Sequence, residues 1–545
     1  MDMGKGMIAV DFIAQELKRR NLSLYTFPGG TLAPLYDACH RAGVETIVAR
    51  SEFGAGYAAI GAAKVTGKPQ IVAVTSGPGA TNLVTPIADA WYDRIPLIAL
   101  TGQVATSNFM RDIDGWPTTV LGKVRQAGFQ ETPITSIVNC ITRQAVLAKR
   151  GEALIAAFMS AINQPQDRWY GPVLIDMPMD SQREEVSDTI SDRVRRDDIR
   201  PSAQKFSSLL RLLATSRKPV LLVGAGCRSA YDQLRRLVER TGIPVVCSLP
   251  AMGVMPTDDA SFFGMVGHTG HPAANMVVAN ADLVLALGSR LDVRQTGTET
   301  DAWTKDKKVV MVNDDLSELT YARVRVDLPI HARCEDVLEY LNNMAWPVSY
   351  DVWEKWHSKC VSYADDYPVA DSQFARVIGE IDEQYNGDVI FVTGVGSHQQ
   401  HAARHLALDY PNRQFVTSSG HGCMGAGLPM AIGAGLATGK RTVLIDGDGS
   451  FQLSLNELGT WAAYYPRLDL HVHILDNGSG GIVSQFARLN GYDARETIWQ
   501  NPDFKKIASA YDLSLAVHKV GEEGVWPILE AGHWPDMTWP KDGKL

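Results

Sequence analysis

The sequence predicts an α/β protein of three doubly wound, parallel-sheet domains, and three observations carry that prediction. The first is length: 545 residues, at roughly 150 per domain, give about three to four domains, each long enough to bury a core. The second is the alternation of short apolar runs with longer helical patterns throughout the chain. The third is a pair of polar, charge-bearing stretches, Glu184–Pro201 and Trp346–Pro368, that read as linkers. They divide the chain into domains at 1–185, 201–345 and 370–545.

The strand runs are Gln70–Val74 and Ile95–Leu100 in the first block, and Pro219–Val223, Leu283–Leu287 and Val309–Val312 in the second. Val389–Val392, Thr442–Ile445 and His471–Leu475 follow in the third. Nearly continuous branched apolar residues, with no polar alternation, belong to strands covered on both faces, as parallel sheets are. Open sheets of this kind bind ligands beyond the carboxyl ends of their strands. No short-period repeat is visible, which excludes a solenoid.

Composition narrows the function classes. Hydrophobic residues make up 45% and charged ones 21%, and the net charge is −9. A chain with this balance is globular, and no basic footprint points to nucleic acid. The seven cysteines are scattered, with no CxxC pair, so reduced thiols are expected. The first residues lack an apolar signal region, and the longest uncharged run, near Gln414–Gly439, is broken by seven glycines and one proline. No membrane segment and a cytoplasmic location are expected.

The strongest motif lies in the third block. Ile445-Asp446-Gly447-Asp448-Gly449-Ser450 is followed, after 25 residues, by Asp476-Asn477-Gly478-Ser479. A strand delivers Asp448 to a glycine turn whose backbone N–H groups can approach a diphosphate, and a helix over Leu453–Trp461 would offer its N-terminus to the same anion. A carboxylate, an amide oxygen, a main-chain carbonyl and two phosphate oxygens make an all-oxygen shell suited to Mg²⁺. Taken singly, each motif is equally an ordinary turn; the spacing and the two flanking strands favour the metal reading. In the first block Glu52 follows the strand Thr46–Ala49, where it could simply favour the dipole of the next helix.

The Gly-Asp-Gly motif, its spacing and the following Asn resemble the signature of the thiamin diphosphate (thiamine pyrophosphate) enzymes, with Asp476 standing where a first Asn is usual. The wider set of motifs is similar to acetolactate synthase over almost the whole chain. It comprises Phe27-Pro28-Gly29-Gly30, Thr75–Asn82, Pro96–Gln103, Phe129-Gln130-Glu131-Thr132, Val395-Gly396-Ser397-His398-Gln399 and Gly422–Pro429. The resemblance implies that Asp448, Asn477 and the carbonyl of Ser479 hold Mg²⁺, and that Glu52 bonds the aminopyrimidine ring so that the thiazolium C2 proton can be removed. It makes Phe129, Gln130 and Gly30 active-site residues. It assigns Pro28, Ser397, His398, Gly422, Met424, Gly447, Gly449, Ser450, Gly481 and Ile482 to cofactor binding, Met424 as the prop beneath the bent cofactor. It also implies a homodimer or homotetramer in which Glu52 and the metal motif of different subunits meet; it leaves any regulatory subunit unknown.

Relatives of the biosynthetic kind carry FAD in the middle domain. The matching residues here are Gly224, Gly226, Gly267, His268, Gly288, Arg290, Arg294 and Asp314. A GxG alone is a weak signal, and Ala332-Arg333 stands where a Gly-Asp pair is usual. Arg294 matches an arginine that grips an acceptor carboxylate, a task suited to its planar fork. Phe486 stands where biosynthetic relatives have Trp.

The reaction implied is decarboxylation of pyruvate or another small 2-oxo acid and transfer of the two-carbon unit to an acceptor carbonyl. Met110–Lys123, with Asp112, Asp114 and Trp116, reads as a solvated insertion or as a lid for a larger acceptor such as a nucleotide-linked ketosugar. Plain decarboxylation or C–C lysis is a further reading, weakened by the lack of a His-His pair in the first block. A silent homologue is opposed by the intact Glu52, Asp448 and Asn477.

Overall fold

A computed structural model of the chain describes residues 6–109, 126–163, 171–186, 199, 201–344 and 350–521. Three parallel sheets organise them. In the first unit β1 (Leu24–Phe27), β2 (Thr46–Val48), β3 (Gln70–Val74), β4 (Leu97–Gln103), β5 (Gln144–Leu147) and β6 (Val173–Pro178) stand in the order β2-β1-β3-β4-β6-β5. Every residue of β3, β4 and β6 is buried, which is why these runs show no alternation. A two-strand antiparallel pair, Met7–Ile8 with Glu185–Val186, brings the two ends of this unit together.

Helix α1, Glu52–Thr66, starts from Ser51, whose side chain accepts a hydrogen bond from the Gly54 N–H, and ends at Gly67 with φ 66°. Serine at the N-cap and a left-handed glycine at the C-terminus are the usual start and stop signals. Helix α2, Val84–Tyr92, follows β3 and a five-residue helical turn, Pro78–Asn82.

The middle unit contains β7 (Pro219–Val223), β8 (Val245–Cys247), β9 (Phe262–Met265), β10 (Leu283–Leu287), β11 (Lys308–Asn313) and β12 (Leu328–His331), in the order β9-β8-β7-β10-β11-β12. The stretch expected as a linker at Trp346–Pro368 is instead largely helix α3, Tyr350–Asp366. Its Trp353 Nε1 donates to Ser216 O at 3.1 Å and Trp356 Nε1 to Pro219 O at 2.9 Å. Trp353, Trp356, Cys360 and Tyr363 are all buried, at the three- and four-residue spacing of a helix face. The charged residues between them hid that stripe.

The third unit holds β13 (Val389–Thr393), β14 (Arg413–Thr417), β15 (Thr442–Gly447), β16 (Leu470–Asp476) and β17 (Ala516–Lys519), in the order β14-β13-β15-β16-β17. Its helices include α4 (Ser397–His405), α5 (Gly427–Thr438) and α6 (Gly481–Leu489). Helices α1 and α5 are rich in Ala and Gly and buried over most of their length, as expected of helices apolar on every side. They cross so closely that a Cβ on Gly61 would stand 2.1 Å from Met430 O, and one on Gly433 1.8 Å from Ala58 O. That contact joins the first and third units, and their buried residues merge into one hydrophobic cluster. None of the seven cysteines is disulfide-bonded. Among the described residues, no helix is long and apolar enough to cross a membrane.

Candidate functional site

In the third unit the chain leaves β13 towards one side of the sheet and reaches β15 on the other, so the crevice beyond these two strands is the topological switch point. Gly394–Ser397 follow β13, and Asp448 follows β15 directly. The helix expected over Leu453–Trp461 is broken: Asp448–Gln452 is one short helix, Leu455–Glu457 a 3₁₀ turn, and Leu458–Tyr464 a second helix. The N-termini of α4 and α6 meet at the crevice. A Cβ on Gly481 would stand 2.7 Å from Ser397 Oγ and 3.0 Å from Asn477 Nδ2. Two converging N-termini favour an anion.

Four buried polar atoms in this crevice make no hydrogen bond among the described residues: Ser397 Oγ, His398 Nε2, Asp446 Oδ2 and Ser479 Oγ. His398 Nε2 lies 3.3 Å from Asp446 Oδ1. Buried polar groups are rarely left orphaned, and a ligand with acceptor oxygens seated here would satisfy the two hydroxyls and the imidazole. Gly422, with φ 72°, and the half-exposed Met424 lie on the loop before α5, and the Met424 methyl would stand 3.5 Å from a Cβ on Gly449.

The loop after β16 carries the second motif. Asn477 Oδ1 accepts from Ser479 N at 3.2 Å. Ser479 pairs antiparallel with Ile498, through Gly480 N to Thr497 O at 2.8 Å and Trp499 N to Gly478 O at 3.0 Å. The flanking residues make these bonds, so the Ser479 carbonyl stays outside the ladder. It is free to ligate. Burial pushes the Asp448 carboxyl above the ordinary range, opposed by donors from Asn501 and Trp499. Trp499 Nε1 reaches Asp448 Oδ2 at 3.0 Å and Asn501 Nδ2 reaches it at 2.6 Å. The sequence reading missed both residues; they lie beyond the motif, and no spacing rule connects them to it. Asp448, Asn477 and the Ser479 carbonyl offer the hard oxygen set that suits Mg²⁺, and the unpartnered Ser397 and Ser479 hydroxyls beside them can donate to a diphosphate.

Glu52 opens α1 at the first unit's own switch point, beyond β1 and β3. It is 9% exposed, and Asn82 Nδ2 donates to its Oε2 at 2.9 Å. Gly79 lies against Oε1, and Gln130, with φ 63°, lies against Gly77. The fold thus gathers Glu52, the Ser76–Asn82 loop and Gln130. Phe129 is 83% exposed, and Pro28 and Gly30 are exposed on the loop after β1. Within one chain, Glu52 and Asp448 belong to separate hydrogen-bonded groups.

The middle unit's candidates make contacts within the protein. A Cβ on Gly224 would stand 2.1 Å from Gly288 O, and one on Gly226 2.9 Å from Gly288 Cα. Glycine is needed there for the turns after β7 and β10 to touch. Gly267 lies against Arg294 O, and His268 Nδ1 is 3.3 Å from that oxygen. Burial, then the Arg294 charge, lowers the His268 pKa. Arg294 Nη1 donates to Ser419 O at 3.2 Å, Arg290 pairs with Asp292, and Asp314 accepts from Arg94. None of these flavin candidates carries an orphaned buried polar atom, unlike the third unit's crevice. Phe486 lies half-buried on α6, a little over one turn beyond Gly481 and Ile482. The expected insertion at Met110–Lys123, with Asp112, Asp114 and Trp116, lies outside the described residues apart from what flanks it, as do residues 522–545.

A three-unit α/β chain with such crevices in its outer units is the architecture of a cofactor-dependent enzyme. Family models for thiamine pyrophosphate enzymes match it in order: the N-terminal TPP binding domain over residues 7–131, the central domain over 206–341 and the C-terminal TPP binding domain over 394–530. The chain belongs to this family. It is 33% identical over 528 residues to acetolactate synthase isozyme 2 large subunit of Escherichia coli, covering 93% of this chain and 90% of that protein. It is 34% identical over 499 residues to the chloroplastic acetolactate synthase of Arabidopsis thaliana, covering 87% of this chain and 71% of that protein. With acetolactate synthase of Mycobacterium bovis the identity is 34% over 511 residues, covering 89% and 79%.

Proposed function

We propose that the protein is a thiamin diphosphate- and Mg²⁺-dependent carboligase of the acetolactate synthase type, acting on pyruvate. The observation that carries this reading is the cluster of orphaned buried polar atoms beside Asp448, Asn477 and the free Ser479 carbonyl. When bound, thiamin diphosphate supplies a thiazolium that stabilises negative charge after a 2-oxo acid loses CO₂. Asp448, Asn477 and the Ser479 carbonyl hold the cation. Ser397, His398, Gly422, Gly447, Gly449, Ser450, Gly481 and Ile482 would hold the cofactor, and Met424 would support its bent shape. Glu52 would hold a proton at the aminopyrimidine N1′ and so favour loss of the proton at C2. Gly30, Phe129 and Gln130 border the reacting end. Arg294 and Phe486 face the acceptor, Arg294 through its charge.

The resemblance to acetolactate synthase supports a homodimer, or a tetramer of two dimers, with each cofactor shared between subunits. The flavin reading rests on resemblance, because the middle unit's glycines are already accounted for by packing. Heat-released supernatant without a flavin spectrum removes FAD from the account. A cytoplasmic location is part of the same proposal.

Mass-spectrometric product identification with pyruvate, thiamin diphosphate and Mg²⁺ tests the activity. Acetolactate, or mixed products when 2-oxo acids, aldehydes or nucleotide-linked ketosugars are added, is expected. Acetaldehyde alone, or no CO₂ release, contradicts it.

A further inference from the structure

The segment following α6 returns to the metal motif and closes over it. Thr497–Trp499 runs antiparallel to Gly478–Gly480. The Trp499 ring then lies over Gly449 of the first motif and Gly480 just beyond the second: a Cβ on Gly449 would stand 2.6 Å from the indole, and one on Gly480 3.3 Å. The two turns that leave room for a diphosphate therefore also leave room for this ring. The indole N–H donates to Asp448 Oδ2 at 3.0 Å.

Asn501 bridges the two acidic residues of the motifs. Its Nδ2 donates to Asp448 Oδ2 at 2.6 Å and to Asp476 Oδ1 at 2.7 Å, while its own oxygen accepts from Gln452 Nε2 at 2.8 Å. Asp476 is the residue that replaces the usual first Asn. Its Oδ1 also accepts from Gly478 N, and its Oδ2 pairs with Lys519. An amide nitrogen with two hydrogens is the group that can hold two carboxylates side by side without adding charge.

Resting on the metal-site reading above, we propose that Trp499 and Asn501 are positioning residues for the metal ligand Asp448. They occupy Oδ2, fix the carboxylate's rotation and leave its remaining lone pairs to the cation. Groups that orient a ligand in this way typically change metal affinity by 10–100-fold when removed.

The probe is Mn²⁺, followed by the loss of its free electron paramagnetic resonance signal on titration of the full-length protein with saturating thiamin diphosphate. Asn501→Ala removes the bridge, whereas Trp499→Phe keeps a ring against Gly449 and removes only the N–H donor. Mn²⁺ affinity about tenfold or more weaker in both, with the cofactor-free melting temperature of Trp499→Phe unchanged, is expected. Wild-type Mn²⁺ affinity in either variant overturns the role of that residue. Asp448→Ala separates the two levels: if it binds Mn²⁺ normally the metal site itself is misassigned, and if it does not, the variants test the positioning role alone.

Discussion

Glu457, in the turn that follows the metal motif, accepts a hydrogen bond from Ser51 Oγ at 2.8 Å, at the cap of the helix that Glu52 opens. The same carboxylate accepts from Arg50 N at 3.2 Å and Thr460 Oγ1 at 2.6 Å, and it is 1% exposed. A residue of the third unit thus holds the turn that aims Glu52. Glu457→Ala leaves buried donors unpaired and should cost about 3 kcal/mol, at the upper end for one buried polar group. It should also lower kcat more than it weakens thiamin diphosphate binding. Urea unfolding, a cofactor titration and steady-state rates on one preparation check this; lost stability with an unchanged kcat removes Glu457 from the positioning of Glu52.

Lys64 on α1 stands 2.5 Å from Asp93, with 7% of each side chain exposed. Asp93 also accepts from Ser419 N at 3.0 Å and Gly420 N at 2.7 Å, so the pair ties the first unit to the loop that leads to Met424. Removing one partner of a buried pair strands the other charge, and Lys64→Met should cost about 3–5 kcal/mol. Lys64→Met combined with Asp93→Asn should lose much less than the sum of the single variants, because the two sites are in contact. Additive urea-unfolding free energies contradict the coupling.

Asp176, at the carboxyl end of β6, accepts from Thr101 Oγ1 at 2.8 Å and Gln103 Nε2 at 3.0 Å. Burial pushes its pKa up to about 7, with those two donors acting the other way. An acid whose pKa is raised by folding contributes stability that is complete below its unfolded value, near 3.9, and is lost as pH rises through the folded value. The protein should therefore lose on the order of a few kcal/mol between about pH 4 and 7 through this residue. Asp176→Asn removes the titration, with its oxygen accepting from Gln103 Nε2 and its amide donating to Thr101 Oγ1, so its advantage over wild type should grow from pH 4.5 to pH 8. A constant difference in urea midpoint across that range contradicts the assignment.

The strands and the motifs that follow them were legible because buried parallel strands are apolar without interruption and their carboxyl ends carry the site. Gln70–Val74, Pro219–Val223 and Leu283–Leu287 are strands over those same residues. The α3 helix was missed because charged residues separate Trp353, Trp356 and Tyr363. The helix drawn through Leu453–Trp461 failed because Glu457 turns inward to Ser51 there. Trp499, Asn501 and Glu457 were invisible as site residues, since each acts through a tertiary contact that local spacing does not encode. The glycines of the middle unit show the converse: a motif readable as a phosphate loop is also the packing contact between two strand ends.

The most direct measurement is the rate at which the C2 proton of bound thiamin diphosphate exchanges with deuterium, in wild type and in Glu52→Gln, each loaded with Mg²⁺. If Glu52 promotes loss of that proton, the variant should bind the cofactor with comparable affinity and exchange orders of magnitude more slowly. Exchange at the wild-type rate in the loaded variant would contradict the account.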